Sequence, residues 1–313
     1  MPKSLRRWPW LLAVLVCACG PANGLNGFDL STSLLPAERI ESGGPGRDGI
    51  PAIDRPRFVA AAQADFLEPD DRVLGLHLNG AARAYPISIL NWHEIVNDRV
   101  GTQAAVISFC PLCGSGMAFA VDGERAEFGV SGLLYNSDVL LYDRKTESLW
   151  SQIMAQAVSG PRRGERLRSL ALSHTSWANW RQRYPDTLVL SADTGHRRDY
   201  ERDPYAGYRD NPAIWFQVGH RDDRYPPKEL VLGLELDGGF RAYPFSELAR
   251  APANWVDRFQ GHPLRIRFDR QHQTAWVEDP DGDVLPSLIS FWFAWVAFHP
   301  DTEVFTAAGE EVE

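Results

Sequence analysis

The residues of this chain best suited to chemistry are two cysteines three positions apart, in Cys110-Pro111-Leu112-Cys113-Gly114-Ser115-Gly116. Thiols at i and i+3 around a tight turn, followed by a glycine that lets the backbone curl toward the sulfurs, make half of a zinc-ribbon-like knuckle. The chain has no second Cys-x-x-Cys, so a tetrahedral metal site has to recruit His, Asp or Glu. Thiolates with an imidazole suit zinc or copper(I). Two other chemistries use the same pair, a redox-active dithiol and a structural disulfide. A thioredoxin-like dithiol needs its second cysteine inside a helix, whereas Gly114 to Phe119 reads as a turn and a strand.

His93 is the first candidate for a third ligand. Ala104 to Phe109 is an apolar strand running into the knuckle. If it pairs with residues 93–100 through a turn at Gly101-Thr102-Gln103, His93 comes to lie opposite residue 111, beside both sulfurs. A turn at Asn97-Asp98 would put His93 out of reach, and the similar length of the two runs favours the first register. His174, Asp138 and His77 are further ligand candidates. Tyr135-Asn136-Ser137-Asp138 is a polar turn between apolar strands, readable as ordinary hairpin chemistry or as part of a site. Asp199, Tyr200, Tyr205 and Tyr208 could line a cleft. Gly-x-Ser-x-Gly, P-loop and His-Glu-x-x-His motifs are absent, which removes most support for hydrolase and nucleotide-dependent readings.

The elements that must position these residues come from an internal duplication. Residues 73–90, VLGLHLNGAARAYPISIL, recur as residues 231–248, VLGLELDGGFRAYPFSEL, with twelve identities in eighteen positions. Trp177, Trp180, Pro185, Asp186 and Thr187 recur as Trp292, Trp295, Pro300, Asp301 and Thr302. Leu74, Leu76 and Leu78 alternate as in a half-buried strand, Asn79-Gly80 signals a hairpin, and Pro86 fits the start of a short helix through Leu90. Residues 176–184 read as a helix stopped by Pro185, with its tryptophans in the core. The expected fold is β-rich α+β, with two pseudo-repeated lobes of short antiparallel strands at residues 58–195 and 228–313. A connector (196–227) joins them and an extended tether (20–57) precedes them. Aligned at an offset of 160, the second copy carries Ala253, Arg270 and Gln273 in place of His93, Cys110 and Cys113, so soft ligands belong to one copy alone.

Composition narrows the class. Of 313 residues, 44% are hydrophobic and 23% charged, which fits a globular chain and argues against disorder or a polytopic membrane protein. A net charge of −9 with no basic block argues against nucleic acid as a partner. Residues 1–19 read as a lipoprotein signal segment. Lys3, Arg6 and Arg7 precede an apolar stretch too short to span a bilayer, and Val16-Cys17-Ala18-Cys19 resembles a lipobox with Cys19 as the lipidated residue. No aspartate follows Cys19, so the expectation is secretion across the inner membrane and anchoring by lipid, at the periplasmic face of the outer membrane.

Asn91-Trp92-His93-Glu94-Ile95-Val96-Asn97-Asp98, the Cys110 to Gly116 knuckle and Val130 to Asp138 together resemble the prokaryotic domain-of-unknown-function family numbered 3179. Ser148-Leu149-Trp150-Ser151-Gln152, Tyr184-Pro185-Asp186-Thr187 and Asp199-Tyr200 extend the resemblance over about residues 42–306. It implies a secreted or membrane-anchored protein and brings no reaction with it. The expected function is a lipid-anchored envelope protein with a zinc or copper centre at Cys110, Cys113 and His93. The alternatives are a thiol–disulfide oxidoreductase using the two cysteines, or a non-catalytic binding module with a structural Cys-x-x-Cys.

Overall fold

The alternating leucines and the Asn79-Gly80 turn form the hairpin their pattern dictates. Arg72–Leu78 pairs antiparallel with Ala81–Pro86, and Asn79 and Gly80 both take positive φ. Leu230–Leu236 and Gly239–Pro244 repeat this pairing position for position, with Asp237 and Gly238 at the turn. The computed structural model describes residues 24–123, 127–252 and 255–307. The lipidation expected at Cys19 and the comparison of His93 with Ala253 lie outside the described residues.

The expectation of an α+β fold in two lobes is corrected. The chain is 42% strand and 11% helix, and five small sheets are arranged as a five-bladed β-propeller. Blade A holds Phe58–Ala60, Arg72–Leu78, Ala81–Pro86, Ser173–Ser176 and Leu188–Leu190. Blade B holds Ile95–Val100, Gln103–Cys110, Ser115–Val121 and Arg168–Leu170. Blade C holds Ile40–Ser42, Phe128–Tyr135, Asp138–Asp143, Leu149–Ser151 and Gln156–Ser159. Blade D holds Leu230–Leu236, Gly239–Pro244, Leu288–Phe291 and Glu303–Val304. Blade E holds Trp255–Phe259, His262–Asp269, Thr274–Glu278 and Val284–Leu285. The segment read as a tether contributes Ile40–Ser42 to the edge of blade C and buries Phe28, Leu30 and Leu35.

Each copy of the duplication folds into two blades, A with B and D with E. Separate lobes do not arise because the apolar faces of these sheets pack on one another. One core cluster runs from Val106, Phe119 and Trp150 to Val231, Trp292 and Trp295, across both copies. Blade C is an insertion within blade B, since its strands from Phe128 to Ser159 lie between Ser115–Val121 and Arg168–Leu170. At the same place in the second copy, Thr274–Glu278 passes directly to Val284–Leu285.

Among the described residues, four short α-helices sit at strand ends: α1 (Ile87–His93), α2 (Trp177–Arg183), α3 (Phe245–Leu248) and α4 (Trp292–Phe298). The repeated tryptophans explain the repeated glycines. A Cβ on Gly75 would stand 2.2 Å from the Trp180 ring, and one on Gly233 2.2 Å from the Trp295 ring. Trp180 donates its indole N–H to Thr187 Oγ1 at 3.0 Å and Trp295 donates to Thr302 Oγ1 at 2.9 Å. Much of the sequence identity between the copies therefore records packing.

Candidate metal centre

The knuckle closes blade B. Cys110 pairs with Ser115 across a four-residue turn in which Gly114 takes φ +61, a left-handed conformation that favours glycine. The Cys113 carbonyl accepts from the Phe291 N–H of blade D at 2.8 Å. Blade C reaches the same place with the hairpin joining Phe128–Tyr135 to Asp138–Asp143. Tyr135 and Asp138 are paired, and Asn136 and Ser137 between them have φ of 53° and 64°. This tight turn presents the Ser137 carbonyl and the Asp138 carboxyl to the sulfurs.

Among the described residues, Cys110, Cys113 and Asp138 form one group of potential metal donors. The two Sγ atoms and a carboxylate oxygen all lie within 4.8 Å of one another, and all three side chains are buried. Both cysteines are free. Their thiols donate to the Ser137 carbonyl, at 3.6 Å from Cys110 and 3.4 Å from Cys113. Asp138 Oδ2 accepts from the Ile153 N–H at 3.1 Å, whereas its buried Oδ1 has no hydrogen-bond partner. A buried carboxylate oxygen without a partner is costly.

The electrostatics of this cluster are those of a place short of positive charge. Burial pushes the Asp138 carboxyl up to about 7, against the lowering effect of the Ile153 and Val139 amides. Burial, then Asp138, pushes Glu94 up to about 8. Burial raises the Cys110 thiol, with Asp138 and Glu94 adding to it, and raises Cys113 further.

The blade B hairpin turns where expected, with Val100 opposite Gln103 and Ile95 opposite Ser108, one residue out of the expected register. Continued to residue 93, that register would still set His93 opposite Cys110, so it is α1, by ending the extended backbone before Ile95, that removes His93 from the centre. The helix runs through His93, and Glu94 then takes φ 57 and accepts the Phe109 N–H on its carbonyl at 2.8 Å. Glu94 thus occupies the place next to the knuckle. His93 Nδ1 donates to the Pro51 carbonyl at 2.7 Å, which leaves Nε2 to accept from the Tyr200 hydroxyl at 2.7 Å. Burial pulls the His93 imidazole down to about 4, so it stays neutral. Both ring nitrogens are engaged away from the sulfurs.

The other candidates separate in the same way. His174 packs edge-on against Phe109 and stands outside the donor group, its Nδ1 buried and unpartnered. His77 stacks on Tyr184. Tyr135 packs between the Arg39 guanidinium and Phe298. Asn136 holds three segments together. Its Oδ1 accepts from the Gly219 N–H and from Arg39, and its Nδ2 donates to the Ala297 carbonyl. Of the residues singled out in sequence, the fold brings Cys110, Cys113 and Asp138 together. Glu94, Tyr205 and Tyr208 escaped the sequence reading as neighbours of the cluster. Tyr205 feels Glu94 and Cys110, and Tyr208 feels both cysteines. The observed register, in which residue numbers across the hairpin sum to 203, would have pointed to Glu94 opposite Phe109.

Fold and site define a small β-propeller with a buried thiol–carboxylate cluster between two blades. The family model described as "Protein of unknown function (DUF3179)" matches residues 47–302, and the chain belongs to that family. No curated protein and no solved structure matches it.

Proposed function

We propose that this is a zinc-binding protein of the cell envelope, with Cys110, Cys113 and Asp138 as the protein ligands. The observation that carries the reading is that Asp138 has a carboxylate oxygen within 4.8 Å of two free thiols while its buried Oδ1 has no hydrogen-bond partner. A divalent cation would satisfy that oxygen and discharge a cluster in which burial raises every acidic group and Asp138 raises Glu94 and both thiols further. Two thiolates with one carboxylate suit zinc better than copper(I), which prefers soft donors throughout. Three protein donors leave a fourth coordination position to a small molecule, the pattern of zinc sites that act on or carry a ligand.

The burial of both thiols and the raising of their pKa values count against a dithiol redox catalyst, which needs an accessible thiolate. The lipobox-like Val16-Cys17-Ala18-Cys19 supports anchoring of the mature chain by lipid at Cys19. No helix among the described residues is long and apolar enough to cross a membrane.

Elemental analysis of the full-length protein, purified anaerobically, tests the zinc reading. It predicts about one equivalent of zinc per chain, falling to background in Cys110→Ser. Metal-free parent protein that takes up no zinc on titration, while remaining folded, would overturn it.

A further inference from the structure

A cavity of about 210 Å³ lies against the knuckle, walled by Pro111 and Gly114 of blade B, Arg72 and His174 of blade A, Phe291 of blade D and the connector residues Tyr208 and Arg209. It is smaller than the usual drug-sized pocket. Phe109, Ile87 and Leu230 give it an apolar side.

Its polar side is unusual because positive charge without a paired carboxylate meets two buried polar groups without a hydrogen-bond partner. Arg72 is held rigidly, donating to the carbonyls of His272, His174 and Gln273 at 2.6, 2.9 and 3.0 Å. Those contacts use neutral acceptors, and no carboxylate pairs with it among the described residues. Arg209, whose charge reaches both Arg72 and His174, has no hydrogen bond or ion pair among the described residues. The Tyr208 hydroxyl is buried and unpartnered, in a residue 2% exposed. Burial and the two cysteines raise the Tyr208 phenol; the Trp215 amide opposes this but can only donate, so the phenol proton has no acceptor. His174 Nδ1 is buried and unpartnered too. The one acid at the cavity, Asp203, already accepts from the Asn91 side chain and the Tyr205 N–H.

From this geometry we infer that the cavity is a binding site for a small organic carboxylate, its anionic end between Arg72, Arg209 and the Tyr208 hydroxyl and its apolar body against Phe109 and Phe291. A carboxylate there supplies the counter-charge that two neighbouring guanidinium groups lack and the acceptor that a buried phenol lacks. Burial and the Arg209 charge together pull Arg72 down to about 10, as expected of a cation kept from water without an anion. The loop carrying Tyr208 and Arg209 is pre-formed. Lys228 donates to the carbonyls of Tyr208, Asn211 and Ala213 and stands 3.2 Å over the Tyr208 ring. The inference does not require zinc, since none of its groups is a proposed ligand.

Equilibrium dialysis of the full-length protein against benzoate, with neutral benzamide as the isosteric control, tests it, on samples with and without chelator. Saturable one-to-one binding of benzoate is expected, with benzamide at least about tenfold weaker. Arg209→Gln, which removes an exposed and unpaired side chain, should weaken benzoate about tenfold, and Tyr208→Phe about fivefold. Non-saturable benzoate uptake by the parent protein would overturn the inference. So would equal affinity for benzamide, or unchanged benzoate binding in both variants. Benzoate binding that survives the chelator separates this site from the zinc proposal, whose failure would show in metal content alone.

Discussion

Cys113 and His272 occupy the same position of the same knuckle in blades B and E. In blade B, Cys110 pairs with Ser115, with Cys113 third in the four-residue turn between them; in blade E, Asp269 pairs with Thr274, with His272 third. The structural offset between the copies is therefore one residue less than the offset of 160 that aligns the sequences. It sets Asp269 and His272, rather than Arg270 and Gln273, against Cys110 and Cys113. The two knuckles face different neighbours. Blade C brings the Asp138 turn to the cysteines, whereas His272 Nδ1 meets Ser176 Oγ at 2.7 Å and Asp269 accepts from Asn179, both on the blade A side. One backbone motif thus serves a donor cluster in one copy and a polar inter-blade contact in the other, and the inserted blade makes the difference.

Asp138 is the donor that the inserted blade adds. Asp138→Asn keeps size and shape while removing the charge, so the tight turn at Asn136-Ser137 should survive. Zinc affinity, measured by competition with a chromophoric chelator, should fall by more than about tenfold, a loss seen even for outer partners of metal ligands. The fall should reach a level close to that of Cys110→Ser. Parental affinity in Asp138→Asn would remove the carboxylate from the site.

The repeated glycines make a packing prediction. Gly75→Ala drives a methyl to 2.2 Å from a buried indole that is itself fixed by Thr187, so the ring cannot swing aside cheaply. Overpacking of this kind costs about 3 kcal/mol, readable as a lowered urea midpoint. Trp180→Leu in the same chain should recover part of the loss, because it takes away the clashing ring. Simple additivity of the two substitutions would show that the contact is not the cause.

Local structure was legible in the sequence to the extent that it rests on local chemistry. Asn79-Gly80, the alternating leucines, Pro86 before α1 and Pro185 after α2 all follow from nearby residues. The propeller was not legible, because period-two strands fit any layered β arrangement and nothing in residues 122–167 announces an inserted blade. The site was half legible. Cysteine spacing marks the knuckle, but which side chain meets it depends on where α1 stops. The left-handed Glu94 makes that stop without a glycine to signal it.

His299 gives the molecule an acid-sensitive point away from the centre. It ends α4 with its ring stacked on Phe240, centroids 4.0 Å apart, and tilted against Trp295 at 4.2 Å, and burial, helped by Arg166, pulls it down to about 4. The unfolded chain takes up this proton at about 6.5, before the folded protein does. The stability contributed by the neutral ring is therefore complete above about pH 6.5 and is lost as pH falls toward 4. His299→Phe keeps the stacking and abolishes the proton. Its urea midpoint should decline less between about pH 7 and 4.5 than that of the parent. Parallel declines would mean that His299 is protonated in the fold at no cost.

The thiols themselves decide between a metal centre and a redox catalyst. In metal-free, reduced protein both sulfurs are buried, both are pushed toward the protonated form, and both donate to the carbonyl of Ser137. An aromatic disulfide reagent can attack such thiols only after local opening, whereas in the unfolded chain it meets ordinary exposed cysteines. At mildly alkaline pH the native reaction should be slower than the unfolded one by about a thousandfold, since opening a region as buried as the knuckle costs about 4 kcal/mol or more. Zinc should slow it further, because bound metal adds its own dissociation to the opening step. The two cysteines should react together, as one cooperative event, since the same turn covers both. A native thiol that reacts at the unfolded rate, with its neighbour then expelling the label to close a disulfide, would instead describe an accessible dithiol and return the oxidoreductase reading to first place.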